Sequence, residues 1–139
     1  MEYFFYICSE RMKKVRLVLI GAGNRGTAYT DLGAEFCPEM ELIAVADPDP
    51  VRRNYIRDKF QLSEDCCFET GEELLKQPKM ADAAIIATQD RDHFRLAMKA
   101  IEKGYHLLLE KPAATIAVLL SVYSLGFHSQ FFSEISLRS

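Results

Sequence analysis

The sequence predicts an α/β fold, in which a parallel sheet has helices on both of its faces. Two observations support this prediction. Short, almost wholly apolar segments recur along the chain, which is typical of strands buried on both faces of a parallel sheet. The segments between them have the apolar spacing and the end signals of helices, so strand and helix alternate. With 139 residues, the chain has room for one such domain.

The strand predictions follow from five apolar runs, most of which stop at turn-forming residues. They are Val15–Ile20, Glu41–Ala46, Cys66–Phe68, Ala83–Ala87 and Tyr105–Leu109. Helices are predicted between them, at residues 24–36, 51–60, 72–76 and, with Asp90 as N-cap, from there to just before Gly104. Right-handed crossovers between parallel strands then give the spatial strand order 3-2-1-4-5.

The composition excludes several classes of protein. Apolar residues make up 49% of the chain and charged residues 27%, a balance that argues against extended disorder. The formal charge is -3, so the chain lacks the positive field that attracts nucleic acid or anionic lipid. Its longest apolar runs, Tyr3–Cys8 and Ile116–Leu120, are far shorter than the roughly 20 residues that span a bilayer. We therefore expect no nucleic-acid partner and no membrane association.

The cysteines give a further expectation. They are Cys8, Cys37, Cys66 and Cys67. They form no C-x-x-C pair, and adjacent cysteines cannot form an ordinary structural disulfide. The sequence thus predicts neither a metal site nor a disulfide framework, and a reducing, cytoplasmic environment is the default expectation.

A glycine motif stands between the first predicted strand and the first predicted helix. It matches G-x-G-x-x-G and consists of Gly21, Ala22, Gly23, Asn24, Arg25 and Gly26. Gly21 permits the tight turn, Gly23 lets the backbone approach a pyrophosphate, and Gly26 lets the helix pack close to the sheet. The helix N-terminus favours the anion. In this strand-turn-helix context, the motif predicts a dinucleotide site in a Rossmann-like, doubly wound sheet.

An acidic residue follows the second strand at the expected distance. Asp47 lies 21 residues beyond Gly26, where a carboxylate can accept hydrogen bonds from the adenosine ribose and repel a 2'-phosphate. This placement favours NAD over NADP. Arg52 and Arg53 leave NADP open, because an arginine that turns toward the ribose can accommodate the phosphate.

Two other interpretations of the glycine motif stay open. The glycines could merely form turns while Asp47 caps the second helix. A methyltransferase also begins with a glycine-rich turn, but the acidic residue that usually precedes its glycines is absent here, where Val18, Leu19 and Ile20 stand.

Two further loops follow the fourth and fifth strands. Residues 87–93 read A-T-x-x-x-x-H, and residues 102–112 read E-K-G-Y-H-L-L-L-E-K-P. Together with the glycine motif and Asp47, these segments make the chain from about Lys13 to Thr115 resemble the N-terminal domain of the Gfo/Idh/MocA (glucose-fructose oxidoreductase and inositol dehydrogenase) family.

The resemblance implies an activity and roles for named residues. Members of the family use NAD or NADP to oxidise or reduce sugars, polyols and related carbonyl compounds, and a few use the hydride step to assist glycoside cleavage. By resemblance Lys111 is the catalytic residue, beside the cofactor, with Glu110 tuning its protonation and Pro112 fixing the loop. Ala87, Thr88 and Glu110 would line the path toward the nicotinamide. His93 is included among the cofactor-binding residues, although a hydrogen bond to nearby backbone is an equal alternative.

The predicted organisation has three parts: an N-terminal extension at residues 1–12, a dinucleotide-binding Rossmann domain at 13–115, and a divergent C-terminal tail at 116–139. Family members carry a second α/β domain that supplies most of the substrate pocket, and this sequence has no counterpart of its Asp-x-x-x-His pair. We therefore expect a truncated or frameshifted form of a longer oxidoreductase. A non-catalytic nucleotide-binding or regulatory module and a non-functional gene fragment stay open, as does assembly into a homo-oligomer.

Overall fold

The structure is a computed structural model that describes residues 13–112, apart from the side chain of Asp90. Its strands are β1 (Val15–Ile20), β2 (Met40–Ala46), β3 (Cys67–Phe68), β4 (Ala83–Ile86) and β5 (His106–Leu109). Its helices are α1 (Asn24–Phe36), α2 (Pro50–Phe60), α3 (Gly71–Lys76) and α4 (Asp90–Glu102). A single 3-10 turn at Glu64–Cys66 leads into β3. The predicted N-terminal extension and C-terminal tail lie outside the described residues.

The strands form one parallel sheet in the order β3-β2-β1-β4-β5. The central strand β1 pairs with β2 on one side and with β4 on the other, so that Leu19 stands opposite both Val45 and Ile85. The direction in which the chain adds strands reverses beside β1. The predicted fold class and strand order are both confirmed, and the carboxyl ends of β1 and β4 flank the switch point at which such sheets bind ligands.

Each face of the sheet is covered by helices. Alternate residues of β1 enter separate apolar clusters, with Val18 and Ile20 on one face and Leu19 on the other. The first cluster is completed by α3 and α4 through Leu74, Leu75, Leu96, Ala97 and Ala100. The second is completed mainly by Ala22 of the glycine turn, Tyr29 of α1, and Ile56 and Phe60 of α2. Burial on both faces explains why the strand sequences are nearly continuous apolar runs.

The ends of several elements differ from prediction by one residue. Asp90 was expected to cap α4, but it is the first residue of that helix, and Gln89 occupies the N-cap position without a side-chain hydrogen bond. The α2 N-cap is Asp49, whose Oδ1 accepts from the Val51 amide at 2.9 Å. Because several carboxylates and amides stand side by side in these loops, the sequence does not show which of them forms a cap.

The described residues also bear on the membrane and metal expectations. No helix in residues 13–112 is long and apolar enough to cross a membrane. Among the same residues, no group of three or more His, Cys, Asp or Glu side chains could hold a metal ion. Cys37, Cys66 and Cys67 are free thiols. A cytoplasmic location stays a prediction from the sequence.

Gly26 packs so closely against the turn that a side chain there should destabilise the fold. A Cβ atom at Gly26 would overlap the carbonyl oxygen of Gly21 and lie 3.0 Å from Leu19 Cδ1. We expect Gly26→Ala to lower the free energy of unfolding by about 1–3 kcal/mol, as measured by urea denaturation followed by circular dichroism.

The matched control is Gly23→Ala, because the nearest atom to a Cβ at Gly23 is Arg52 Nη1 at 3.7 Å. This variant should unfold at nearly the parental urea concentration. Equal stability of Gly26→Ala and the parent chain would contradict the close packing described here.

Candidate functional site

The glycine turn is wedged between the ends of two strands. Gly21 has a φ of +96°, a backbone conformation that residues other than glycine rarely adopt. A Cβ there would lie 2.5 Å from the carbonyl oxygen of Ala87, which follows β4. The Gly21 amide also donates to the Ala46 carbonyl at the end of β2, at 2.8 Å. The turn thus lies between the ends of β2 and β4 and places the N-terminus of α1 at the carboxyl edge of the sheet.

The turn continues directly into α1. Gly23 is the N-cap of this helix and supplies no side-chain acceptor to it. The first amides of a helix lack partners within the helix and carry a partial positive charge, so this end of α1 is suited to a phosphate group. Asn24 and Arg25 are exposed beside it, whereas Ala22 and Gly26 are buried.

Asp47 ties the glycine turn to the loop after β2. Its side chain is 4% exposed, and Oδ2 accepts the Ala22 amide at 2.7 Å. Oδ1 accepts the Asp49 amide at 2.8 Å. Because Asp49 is the α2 N-cap, Asp47 does not cap that helix as one alternative interpretation had it. The acid expected to bind ribose therefore also holds the turn expected to bind pyrophosphate.

The two arginines near Asp47 are already engaged within the protein. Arg53 Nη1 donates to the main-chain oxygen of Asp47 at 2.5 Å. Arg52 Nε lies 3.4 Å from Asp49 Oδ2 in an exposed ion pair. Exposed pairs of this kind are weak, so Arg52 keeps the freedom to turn toward a ligand.

A cleft of about 540 Å³ runs along the carboxyl edge of the sheet. Eight of the predicted site residues line it, namely Gly21, Gly23, Asn24, Arg25, Asp47, Arg52, Ala87 and Thr88. The structure therefore brings the glycine turn, the loop after β2 and the loop after β4 to one concave surface. Ala22 and Gly26 belong to the same glycine turn but do not line this cleft.

The far wall of the cleft was not foreseen from the sequence. It is formed by residues of α3 and α4 with the residue before each, among them Thr70, Gly71, Glu72, Arg91, Asp92 and Arg95. Glu72 forms an ion pair with Arg95, whose Nη2 also donates to Asp92 at 3.0 Å. Thr70-x-x-Glu73 is a capping signature that could have identified the start of α3, and Thr70 Oγ1 accepts the Glu73 amide at 3.2 Å.

The Glu110-Lys111-Pro112 loop leaves the carboxyl end of β5, beside β4. The Glu110 amide donates to the Ile86 carbonyl at 2.9 Å. The Tyr29 hydroxyl of α1 donates a hydrogen bond to Glu110 Oε2. Lys111 is exposed, and its bond to Pro112 is cis. Glu110 and Lys111 follow β5, which pairs with β4, the strand that precedes Ala87 and Thr88. Glu110 and Lys111 themselves do not line the described cleft.

The hydrogen bond between Tyr29 and Glu110 shifts the pKa values of both groups. It is the main cause of a lowered pKa for Glu110, to which the Lys111 amide and the charges of Arg25 and Lys111 also contribute. The same bond is the main cause of a raised pKa for Tyr29. Glu110 is therefore held as a carboxylate and Tyr29 as a neutral donor.

His93 lies within α4 and is fully buried. Its Nε2 is 3.0 Å from the carbonyl oxygen of Thr88, and its Nδ1 is 2.7 Å from that of Pro112. Of the two roles left open by the sequence, the structure shows the hydrogen bonds to backbone. Direct contact between His93 and a cofactor stays a prediction.

The chain is similar to proteins of one known family. The model of the Gfo/Idh/MocA group, described as an oxidoreductase family with an NAD-binding Rossmann fold, matches residues 15–122. The chain belongs to the Gfo/Idh/MocA oxidoreductase family. Residues 15–122 carry its NAD-binding Rossmann domain, as the sequence motifs predicted.

Two relatives and one solved structure illustrate the similarity. Glycosyl hydrolase family 109 protein 3 from Phocaeicola vulgatus is 31% identical over 120 residues, which cover 81% of this chain and 21% of that protein. Inositol 2-dehydrogenase 4 from Saccharopolyspora erythraea is 32% identical over 100 residues, covering 72% and 29%. Apo scyllo-inositol dehydrogenase from Lactobacillus casei has the same fold, with a TM-score of 0.70 at 19% identity, over 81% of this chain and 33% of that one.

The present Gfo/Idh/MocA chain spans between about a fifth and a third of the length of each of these relatives. The similarity therefore establishes the NAD-binding domain, while the activity of the whole enzyme is a matter for proposal.

Loss of the Tyr29 hydroxyl should be visible at Glu110. In Tyr29→Phe, the hydrogen bond that lowers the Glu110 pKa is removed, so the carboxylate should take up its proton at a higher pH than in the parent chain. Carbon-13 NMR of labelled glutamate side chains measures this titration directly. Tyr55→Phe, which removes a hydroxyl from α2, is the control and should leave the Glu110 titration unchanged. An identical Glu110 pKa in parent and Tyr29→Phe would contradict the hydrogen bond.

Proposed function

We propose that the domain, over residues 13–115, binds NAD in the cleft at the carboxyl edge of the sheet. The observation that carries the proposal is the buried bond from the Ala22 amide to Asp47, because it joins a phosphate-binding turn to a ribose-binding acid in one rigid unit. The residues fit the group: a Cβ at Gly23 would meet no atom nearer than Arg52 Nη1 at 3.7 Å, and the absence of a side chain there leaves room for a pyrophosphate beside the helix N-terminus.

The charge around Asp47 supports a preference for NAD over NADP. Each carboxylate oxygen of Asp47 accepts one backbone amide and keeps further acceptor capacity for ribose hydroxyls. A 2'-phosphate would meet this carboxylate and would have to draw Arg52 from Asp49. The preference for NAD over NADP thus depends on two groups: the Asp47 carboxylate, which repels a 2'-phosphate, and the Arg52 guanidinium, which can attract it.

The proposed chemistry is hydride transfer, in which the bound nicotinamide carries the hydride. Ala87 and Thr88 line the cleft at the end of β4, and Glu110 and Lys111 follow the adjacent strand. The Lys111 ammonium would donate a hydrogen bond to the substrate oxygen and stabilise negative charge that develops on it. Glu110, kept ionised by Tyr29, would place a negative charge near that ammonium.

The proposed substrate class is a sugar, a polyol or a related carbonyl compound, acted on by the complete enzyme. The dehydrogenase among the relatives is named for inositol, a polyol. A second candidate is NAD-assisted glycoside cleavage, favoured by the 31% identity to a glycosyl hydrolase family 109 protein. Both use the same nucleotide domain and the same hydride step, so the residues described here would serve either.

Two alternatives give different results with the isolated chain. If the chain is a non-catalytic nucleotide-binding module, it would bind the cofactor in the cleft without turnover of any sugar or polyol. As a fragment unable to maintain its fold, it would bind neither cofactor and would show no cooperative unfolding.

Calorimetric titration with NADH and NADPH tests cofactor binding and preference together. We expect the parent chain to bind NADH more tightly than NADPH. Asp47→Asn should weaken the affinity for NADH about tenfold and reduce the difference between the affinities for NADH and NADPH, because the substitution keeps one acceptor but removes the charge. Asp58→Asn, which removes an equal charge from an exposed position on α2, should bind both cofactors as the parent does. Equal affinity of the folded parent chain for NADPH and NADH would refute the preference, and absence of binding would refute the proposed function.

A further inference from the structure

We propose that Tyr29 and His93 are positioning residues that hold the Glu110-Lys111-Pro112 loop against the nicotinamide end of the cleft. The inference rests on the proposed function, since it assigns a purpose to two side chains that do not themselves line the cleft. It depends on where each side chain is anchored and on what each one holds.

Tyr29 connects the loop to the helix that begins at the glycine turn. Its ring packs against the apolar cluster that contains Leu19 and Ile85, so the hydroxyl is presented from a fixed base. That hydroxyl donates to Glu110 Oε2. The same helix, α1, packs Gly26 against the carbonyl of Gly21. The position of Glu110 is therefore fixed relative to the turn proposed to hold the pyrophosphate.

His93 connects the same loop to the loop after β4. The ring is fully buried, with Thr88 O at 3.0 Å from Nε2 and Pro112 O at 2.7 Å from Nδ1. Both partners are carbonyl oxygens, which only accept, so a neutral ring donates to one of them and a protonated ring to both. A single buried side chain thus spans the two backbone segments that border the nicotinamide in the proposed function.

Lys111 lies between the two anchored residues. Glu110 is held on one side by Tyr29, Pro112 on the other by His93, and the Lys111 side chain itself is exposed. The backbone of Lys111 is thereby restrained while its amine is free to reach a ligand. Such restraint lowers the entropy that a flexible loop would lose on binding.

The test compares two ligands that share their adenosine and pyrophosphate groups. ADP-ribose lacks the nicotinamide, whereas NADH carries it, so the difference between their affinities reports on the nicotinamide end of the cleft. Titrations would use the full chain as parent, Tyr29→Phe, His93→Leu and His93→Gln. Glutamine supplies an amide that can donate to one of these carbonyls, as a neutral histidine does, and leucine supplies no donor.

We expect Tyr29→Phe and His93→Leu each to weaken the affinity for NADH about three- to tenfold, because each variant loses one or two hydrogen bonds that order the loop. ADP-ribose affinity should stay at the parental value in every variant, and His93→Gln should recover most of the NADH affinity. Tyr105→Phe, at the opposite edge of the sheet, is the control for loss of a hydroxyl and should change the affinity for neither ligand. Equal weakening of both ligands, or no change for NADH, would overturn the inference.

A second measurement separates this inference from the proposed function. The heteronuclear NOE of the Lys111 amide reports the order of the loop without any ligand. In the parent chain, the NOE of this amide should be as high as that of the strand amides. It should be lower in Tyr29→Phe, which keeps the ring and its packing and removes only the hydroxyl. If the parent bound neither ligand, the proposed function would fail, yet this NOE would still decide whether the two side chains hold the loop. An unchanged NOE in Tyr29→Phe would overturn the inference.

Discussion

The buried carboxylate of Asp47 is the constraint on which the rest of the site depends. It accepts the amide of Ala22 at 2.7 Å and the amide of Asp49 at 2.8 Å, and so joins the first two loops of the carboxyl edge. Hydrogen bonds to a charged group contribute roughly 1.5–3 kcal/mol each, and an amide left unpaired in this position would cost a comparable amount. Structure and proposed ligand binding thus draw on the same carboxylate, whose remaining acceptor capacity faces the cleft.

The sheet places this carboxylate beside the other loops. Because every strand is parallel, the segments after β1, β2, β4 and β5 all emerge at one edge. The order reverses at β1, which opens a crevice between the loops that follow β1 and β4. Gly21 and Gly26 let α1 approach that crevice closely, and Tyr29 of the same helix reaches Glu110. One helix therefore relates the start of the cleft to its proposed reactive end.

The sequence was sufficient for the fold and for the position of the cleft, and the reason is local. The apolar runs at 15–20 and 83–86 have the composition of doubly covered strands, and the glycine spacing at 21–26 has a geometric purpose that other residues cannot meet. The hydrogen bond from Tyr29 to Glu110 spans 81 residues of the sequence, and the one between His93 and Pro112 spans 19. No periodicity encodes such contacts, so only the folded chain shows them.

The central claim is that these loops form one dinucleotide site. NMR titration of the nitrogen-15-labelled chain with NADH tests it most directly, because each backbone amide reports separately. The largest shift changes should fall on the glycine turn at residues 21–26, on Thr88 and on Lys111, and should saturate together. Saturating changes centred on the opposite edge of the sheet, near Val15 and Tyr105, would contradict the claim, as would the absence of any change in a folded chain.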